Sequence, residues 1–293
     1  MINFTKYIWL YFTISAIVLL SGAYSLVRFG LRPSIDFVGG TLLEMRVPST
    51  ISSNDISASA TAMGMEVSSV QRSGKDTFLV RTKSETDARV TLLAQSIAST
   101  SAVTLLRKET VGPILGKELL TKASVAAVLA ITVILLYVAY AFKSMKYGVS
   151  AIVALIHDVL VVVGIFSLLG HFYGVEIDTL FVTAVLTAMS FSVHDTIVVF
   201  DRIREYLRRD RSRPFEEVVN VALTETMNRS VTNSFTIIFM LVALILMGGD
   251  TIRWFIVALL IGTISGTYSS PFIATPILLF WHRWEKRRVH AGV

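Results

Sequence analysis

The chain has 293 residues, 53% hydrophobic and only 16% charged, against about 25% charged residues in a typical soluble domain. Its net charge of +6 does not describe a nucleic-acid footprint. Lys and Arg gather in short segments between apolar runs, the positive-inside arrangement of a multi-span membrane protein. There is no cysteine, which excludes disulfides, thiolate metal sites and thiol nucleophiles.

Six apolar runs approach the ~20 residues that a bilayer requires: 7–27, 124–142, 149–170, 177–200, 230–247 and 254–281. In the first, Ser21-Gly22-Ala23 resembles a cleavage site, so a cleaved leader is the alternative to a retained span. Residues 28–120 form a polar insert. Their pattern predicts a strand at 37–47, a helix at 53–64 capped by Ser53 or Asn54, strands at 65–72 and 77–82 joined by a turn at 73–76, a helix at 85–99 and a strand at 102–110. The order βαββαβ is the ferredoxin-like arrangement. The predicted fold is thus an α-helical membrane protein with six transmembrane helices and one inserted α+β domain. At the insert's two junctions, Asp36 with Gly39-Gly40 and Gly112-Pro113 each read as a hinge or as a plain turn. Lys143 and Lys146, the basic loop 201–229 and the tail 282–293 carry positive charge, whereas 171–176 and 248–251 carry none. Both termini are therefore expected in the cytoplasm and the insert on the far side of the membrane.

The fourth span ends in Ser192-Val193-His194-Asp195-Thr196 and then Ile197-Val198-Val199-Phe200. A carboxylate there costs roughly 2.5–3.5 kcal/mol at a helix centre, which points to function. Ser192, Asp195 and Thr196 share one face by i, i+3, i+4 spacing, an acid among hydroxyls that suits proton transfer; hydrogen bonding to a neighbouring helix is the plainer alternative. His157-Asp158 lies at comparable depth in the third span, with packing and proton transfer both open. Adjacent residues on a helix do not converge on one metal ion, and H-E-x-x-H is missing, so no metal is expected. Arg229, Asn233 and Thr236 form a polar stripe on the fifth span. Arg229 either snorkels to the interface or faces inward as counter-charge to Asp195. Gly262, Gly266 and Ser270 recur every four residues in the sixth span, a close-packing face with a break expected at Pro271. Phosphate-cradling loops are missing, so ATP use is not expected, and the chain is expected to be neither an enzyme nor the holder of a cofactor.

The segments 34–41, from Ser34 to Thr41, and 111–118, from Val111 to Glu118, then His157-Asp158, then 194–205, from His194 through Asp201-Arg202-Ile203-Arg204 to Glu205, stand in an order that resembles the SecD/SecF family, its smaller SecF-type half. That family is similar to the resistance-nodulation-division transporters. The resemblance implies a bacterial inner-membrane subunit that uses the proton motive force to assist protein export, with H+ as coupling ion and Na+ as the alternative. It implies a relay carboxylate at Asp195 and an intramembrane arginine at Arg229. The implied partners are a SecD-like subunit holding a second essential carboxylate, the SecYEG channel, unfolded preprotein and membrane lipid, with YajC and YidC as further candidates. Two positions depart from the family pattern: His194 stands where Asn is usual, and Asn233 where the second Thr of the fifth span is usual. The competing readings are a proton-driven small-molecule or lipid exporter, a passive translocase scaffold and, most distant, an intramembrane hydrolase.

Overall fold

The computed structural model describes residues 4–47, 51–72, 76–83, 87–98, 103–210 and 212–290. Along the chain it forms α1 (Ile8–Phe29), α2 (Ile35–Val38), β1 (Gly40–Arg46), α3 (Ser53–Ala62), β2 (Val67–Arg72), β3 (Thr77–Thr82), α4 (Asp87–Ala98) and β4 (Thr104–Val111). There follow α5 (Pro113–Phe142), α6 (Met145–Tyr173), α7 (Thr179–Arg209), α8 (Phe215–Met247), α9 (Asp250–Ser269), a π-helical turn (Ser270–Ala274) and α10 (Thr275–His290). Among the described residues six helices are long and apolar enough to span a bilayer, the last running through the π turn from Ile252 to Arg288. The chain is a multi-pass membrane protein.

The helices outrun the apolar segments read from sequence. Helix α5 starts at Pro113, not at 124; α7 continues past 200 to Arg209; α8 begins at Phe215, not at 230. Hydropathy marks only what lipid tolerates, while charged helix formers extend the helix into water. Proline suits a first helical position. Ion pairs such as Lys122–Glu118 at 2.7 Å support the polar turns. The expected break at Pro271 is also absent. The π turn absorbs the ring and the missing N–H, and Thr275 Oγ1 donates to Ser270 O at 3.0 Å.

Two units divide the chain: 1–31, 126–175 and 180–293 form the helical one, 32–125 and 176–179 the other. Within the helical unit α6 packs against α1 and α9. A Cβ added to Gly164 would stand 2.7 Å from Gly22 Cα, so only paired glycines allow that approach. Ser25 and Ser167 hydroxyls meet beside it at 2.8 Å. Phe142, Tyr147 and Phe200 close the core, with Tyr147 and Phe200 ring centroids 5.3 Å apart.

In the second unit the four strands lie in the order β2-β3-β1-β4, every pairing antiparallel, as the ferredoxin-like reading requires. Period-2 alternation buries Leu43, Met45, Phe78 and Val80 against Ile56 and Leu93 of α3 and α4. The cap of α3 is Ser52, one residue before the expected pair. Its hydroxyl accepts from Asp55 N while Asp55 Oδ2 accepts from Ser52 N at 2.9 Å, a reciprocal box that neither Ser53 nor Asn54 could form. The turn at 73–75 and residues 85–86, 99 and 102 of the predicted elements lie outside the described residues.

Segment 176–179 is bonded into this same unit. Ile177 bridges Pro33 through Ser34 N to Ile177 O and Ile177 N to Arg32 O, both 2.8 Å. Asp36 Oδ2 accepts from Thr179 N at 3.1 Å and from Thr179 Oγ1 at 2.9 Å, capping the first turn of α7. Arg81 Nε approaches Glu176 Oε2 to 2.6 Å as an ion pair without the alignment of a hydrogen bond, both side chains being about seven-eighths buried. Burial pushes the Glu176 carboxyl up to about 7, with Asp178 adding to the rise and Arg81 and Arg32 opposing it; burial lowers Arg81. The folded chain then keeps a proton that the unfolded chain has released. Stability from this site is greatest below the unfolded value near 4.5 and declines as pH rises through about 7. Heat stability in detergent is accordingly expected to fall between about pH 5 and pH 8, and Glu176→Gln to remove part of that fall. Parallel melting curves for the two proteins would acquit Glu176.

Candidate functional site

Two stripes of small residues make the centre of the helical unit. Ala188, Ser192 and Thr196 climb one face of α7, and Gly262, Gly266 and Ser270 climb α9 into the π turn. They meet rung by rung. A Cβ on Gly262 would stand 2.3 Å from Ala188 Cβ, and one on Gly266 would stand 3.0 Å from Ser192 Cβ. Thr196 and Ser270 hydroxyls pair at 2.8 Å on the third rung. The glycines let the backbones close, and closure buries Ser192, Thr196 and Ser270 to 2% exposure or less.

Asp195 sits one residue before Thr196 and turns toward α8, half-buried. Ser230 Oγ donates to its Oδ1 in a short hydrogen bond. Its Oδ2 is buried and, among the described residues, has no hydrogen-bond partner. Such an oxygen is costly to leave unsatisfied inside a protein. It can hold a proton, or receive a donor from outside the chain.

Asp158 is more deeply enclosed, 4% exposed, and its oxygens are fully engaged. Ser192 of α7 donates to Oδ2 at 2.5 Å, Ser269 of α9 to Oδ2 at 2.6 Å and Ser265 of α9 to Oδ1 at 2.6 Å. His157 Nδ1 lies 3.1 Å from Oδ1, while His157 Nε2 is buried without a partner among the described residues. Three helices thus converge on one carboxyl.

The remaining residues singled out in the sequence fall elsewhere. Arg229, Asn233 and His194 are exposed on the surface of this chain. Ser230, not Arg229, holds Asp195. Gly39 and Gly40 both adopt positive φ, 77° and 137°. A Cβ on Gly39 would stand 2.7 Å from Pro113 Cα, so the two junctions form one tight backbone crossing. Gly112 faces open space and has no such constraint. Sequence reasoning missed Ser230, Ser265 and Ser269 around the acids, as well as the Arg81–Glu176 pair. The i, i+4 spacing of Ser265 and Ser269 beside the glycine stripe was the available signal.

Fold and site together define a multi-pass membrane protein with an acid-and-hydroxyl seam between its helices and a ferredoxin-like insert. A family profile described as Protein export membrane protein SecD/SecF, C-terminal, matches residues 92–284, and one described as SecD/SecF GG Motif matches residues 24–47. Protein translocase subunit SecF of Thermobaculum terrenum is 39% identical over 99% of this chain and 96% of its own length. The protein of that name from Anaerolinea thermophila is 39% identical over 98% and 96%. The crystal structure of SecDF, a translocon-associated membrane protein from Thermus thermophilus, aligns with a TM-score of 0.88 at 32% identity. That alignment covers 96% of this chain and 39% of the longer one, so the chain spans about two-fifths of SecDF. This chain belongs to the SecD/SecF family of protein-export membrane proteins.

The seam sets a steric test. Gly262→Val places a branched side chain against Ala188 and is expected to cost about 1–3 kcal/mol by overpacking. Gly249→Ala, in open space, is expected to be neutral. Melting temperatures of both variants in detergent check the contrast, and equal values would refute the tight α7–α9 contact.

Proposed function

We propose that the chain is the SecF-type subunit of a SecD–SecF pair in the bacterial inner membrane, coupling the proton motive force to protein translocation through the Sec channel. In this reading both termini and the segment 201–229 are cytoplasmic, and the ferredoxin-like domain at 28–120 is periplasmic. Work is done by conformational change and not by an enzymatic reaction, and the only small species used is the coupling ion, H+.

The observation that carries the reading is the Asp195 carboxyl, with one oxygen held by Ser230 and the other buried near Ser270 with no hydrogen-bond partner among the described residues. A proton arriving at Oδ2 neutralises the acid and supplies the missing hydrogen. Its departure restores a charge that must be met by rearranging α7 and α8. Each elementary charge crossing 100 mV provides about 2.3 kcal/mol, comparable to the gap between two protein conformers. His194, Arg229 and Asn233 are polar side chains exposed on apolar spans, which lipid does not accommodate. They favour a partner whose own polar groups cover them, and the match to a longer SecDF chain supports a SecD-like subunit in that place.

In membranes holding the chain with its SecD-like partner and the channel, Asp195→Asn is expected to reduce gradient-dependent export to the level seen without a gradient. Its insertion and melting temperature should match the parent's. Export that still responds fully to the gradient in this variant would remove Asp195 from the relay.

A further inference from the structure

We infer that Asp158 is a positioning residue for Asp195. It fixes the α7–α9 register, and that register places the relay acid. This rests on the relay reading above and adds to it a residue that makes no contact with the travelling proton.

The geometry carries the argument. A carboxyl offers about four acceptor sites, and Asp158 fills them from three serine hydroxyls and the adjacent His157. Those serines are not scattered. Ser192 is the middle rung of α7, the same residue that Gly266 admits at van der Waals distance. Ser265 and Ser269 flank the last turn of α9, and Ser269 immediately precedes the π turn. The first residue of that turn, Ser270, holds Thr196, the neighbour of Asp195. Asp158 therefore ties the α7 turn below Asp195 to the α9 turn below Ser270. Without its carboxyl, Ser192 and Ser265 lose their acceptor and Ser269 keeps only the Gly266 carbonyl. The rungs are then free to slip, and Asp195 moves relative to Ser230. A packing role alone would stabilise the bundle but leave the response of Asp195 to protons unchanged. The titratable and charged groups near Asp195 are His194 on its own helix and Arg229 on α8; no variant below alters them.

The test uses the full chain with its partner and channel, measuring gradient-driven export against pH. The double variant Ser265→Ala with Ser269→Ala keeps both acids, and Asp158→Asn keeps one acceptor oxygen. The double variant is expected to insert normally and melt below the parent, to lose about tenfold in rate and to displace the pH of half-maximal export, a displacement that lower stability alone does not produce. Asp158→Asn is expected to lose less than Asp158→Ala, a partial rescue by shape and hydrogen bonding. If Asp158→Asn is as inactive as Asp195→Asn, Asp158 itself carries protons and the inference is overturned. An unchanged rate and pH profile in the serine variant also overturns it. Asp195→Asn run alongside separates the two failures. Normal export by that variant sinks the relay and this inference with it, whereas an inactive Asp195→Asn beside unaffected serine variants sinks this inference alone.

Discussion

A carboxyl inside a bundle of apolar helices must find its hydrogen-bond donors within the protein, because the bilayer core supplies none. Asp158 meets that requirement with hydroxyls from α7 and α9, and the rest of the seam follows from it. Donors that short need helices that close, so the facing positions are Gly262 and Gly266. Where the helices close, Thr196 and Ser270 pair with one another and with the Ser192 and Gly266 carbonyls. The π turn at Ser270–Ala274 then lets α9 pass Pro271 without losing the face that Ser265, Ser269 and Ser270 share.

Asp195 answers the same constraint in the opposite way. One oxygen is satisfied and the other is not. The two acids therefore differ in how fully their oxygens are met. Saturation makes Asp158 expensive to disturb.

In the second unit the segment before α7 is tied by three contacts. Asp36 caps Thr179, Ile177 bridges Pro33, and Glu176 pairs with Arg81. Helix α7 therefore bears Asp36-bonded Thr179 at its start and Asp195 sixteen positions on.

Local pattern was enough for the fold class. Apolar runs of membrane length, alternation in β1 and β3 and the βαββαβ order are each written in neighbouring residues, so period and turn chemistry reveal them. Asp195 was legible for the same reason, as a lone acid in an apolar run. So were the two small-residue stripes, though not that they face each other. What only the tertiary structure decided are the partners brought from distant segments: Ser230 on Asp195, Ser265 and Ser269 on Asp158, Arg81 on Glu176, and Pro113 on Gly39. Spacing along one helix says which residues share a face. It cannot say which other segment that face meets, because the choice is made by packing between stretches of chain 35 to 111 residues apart.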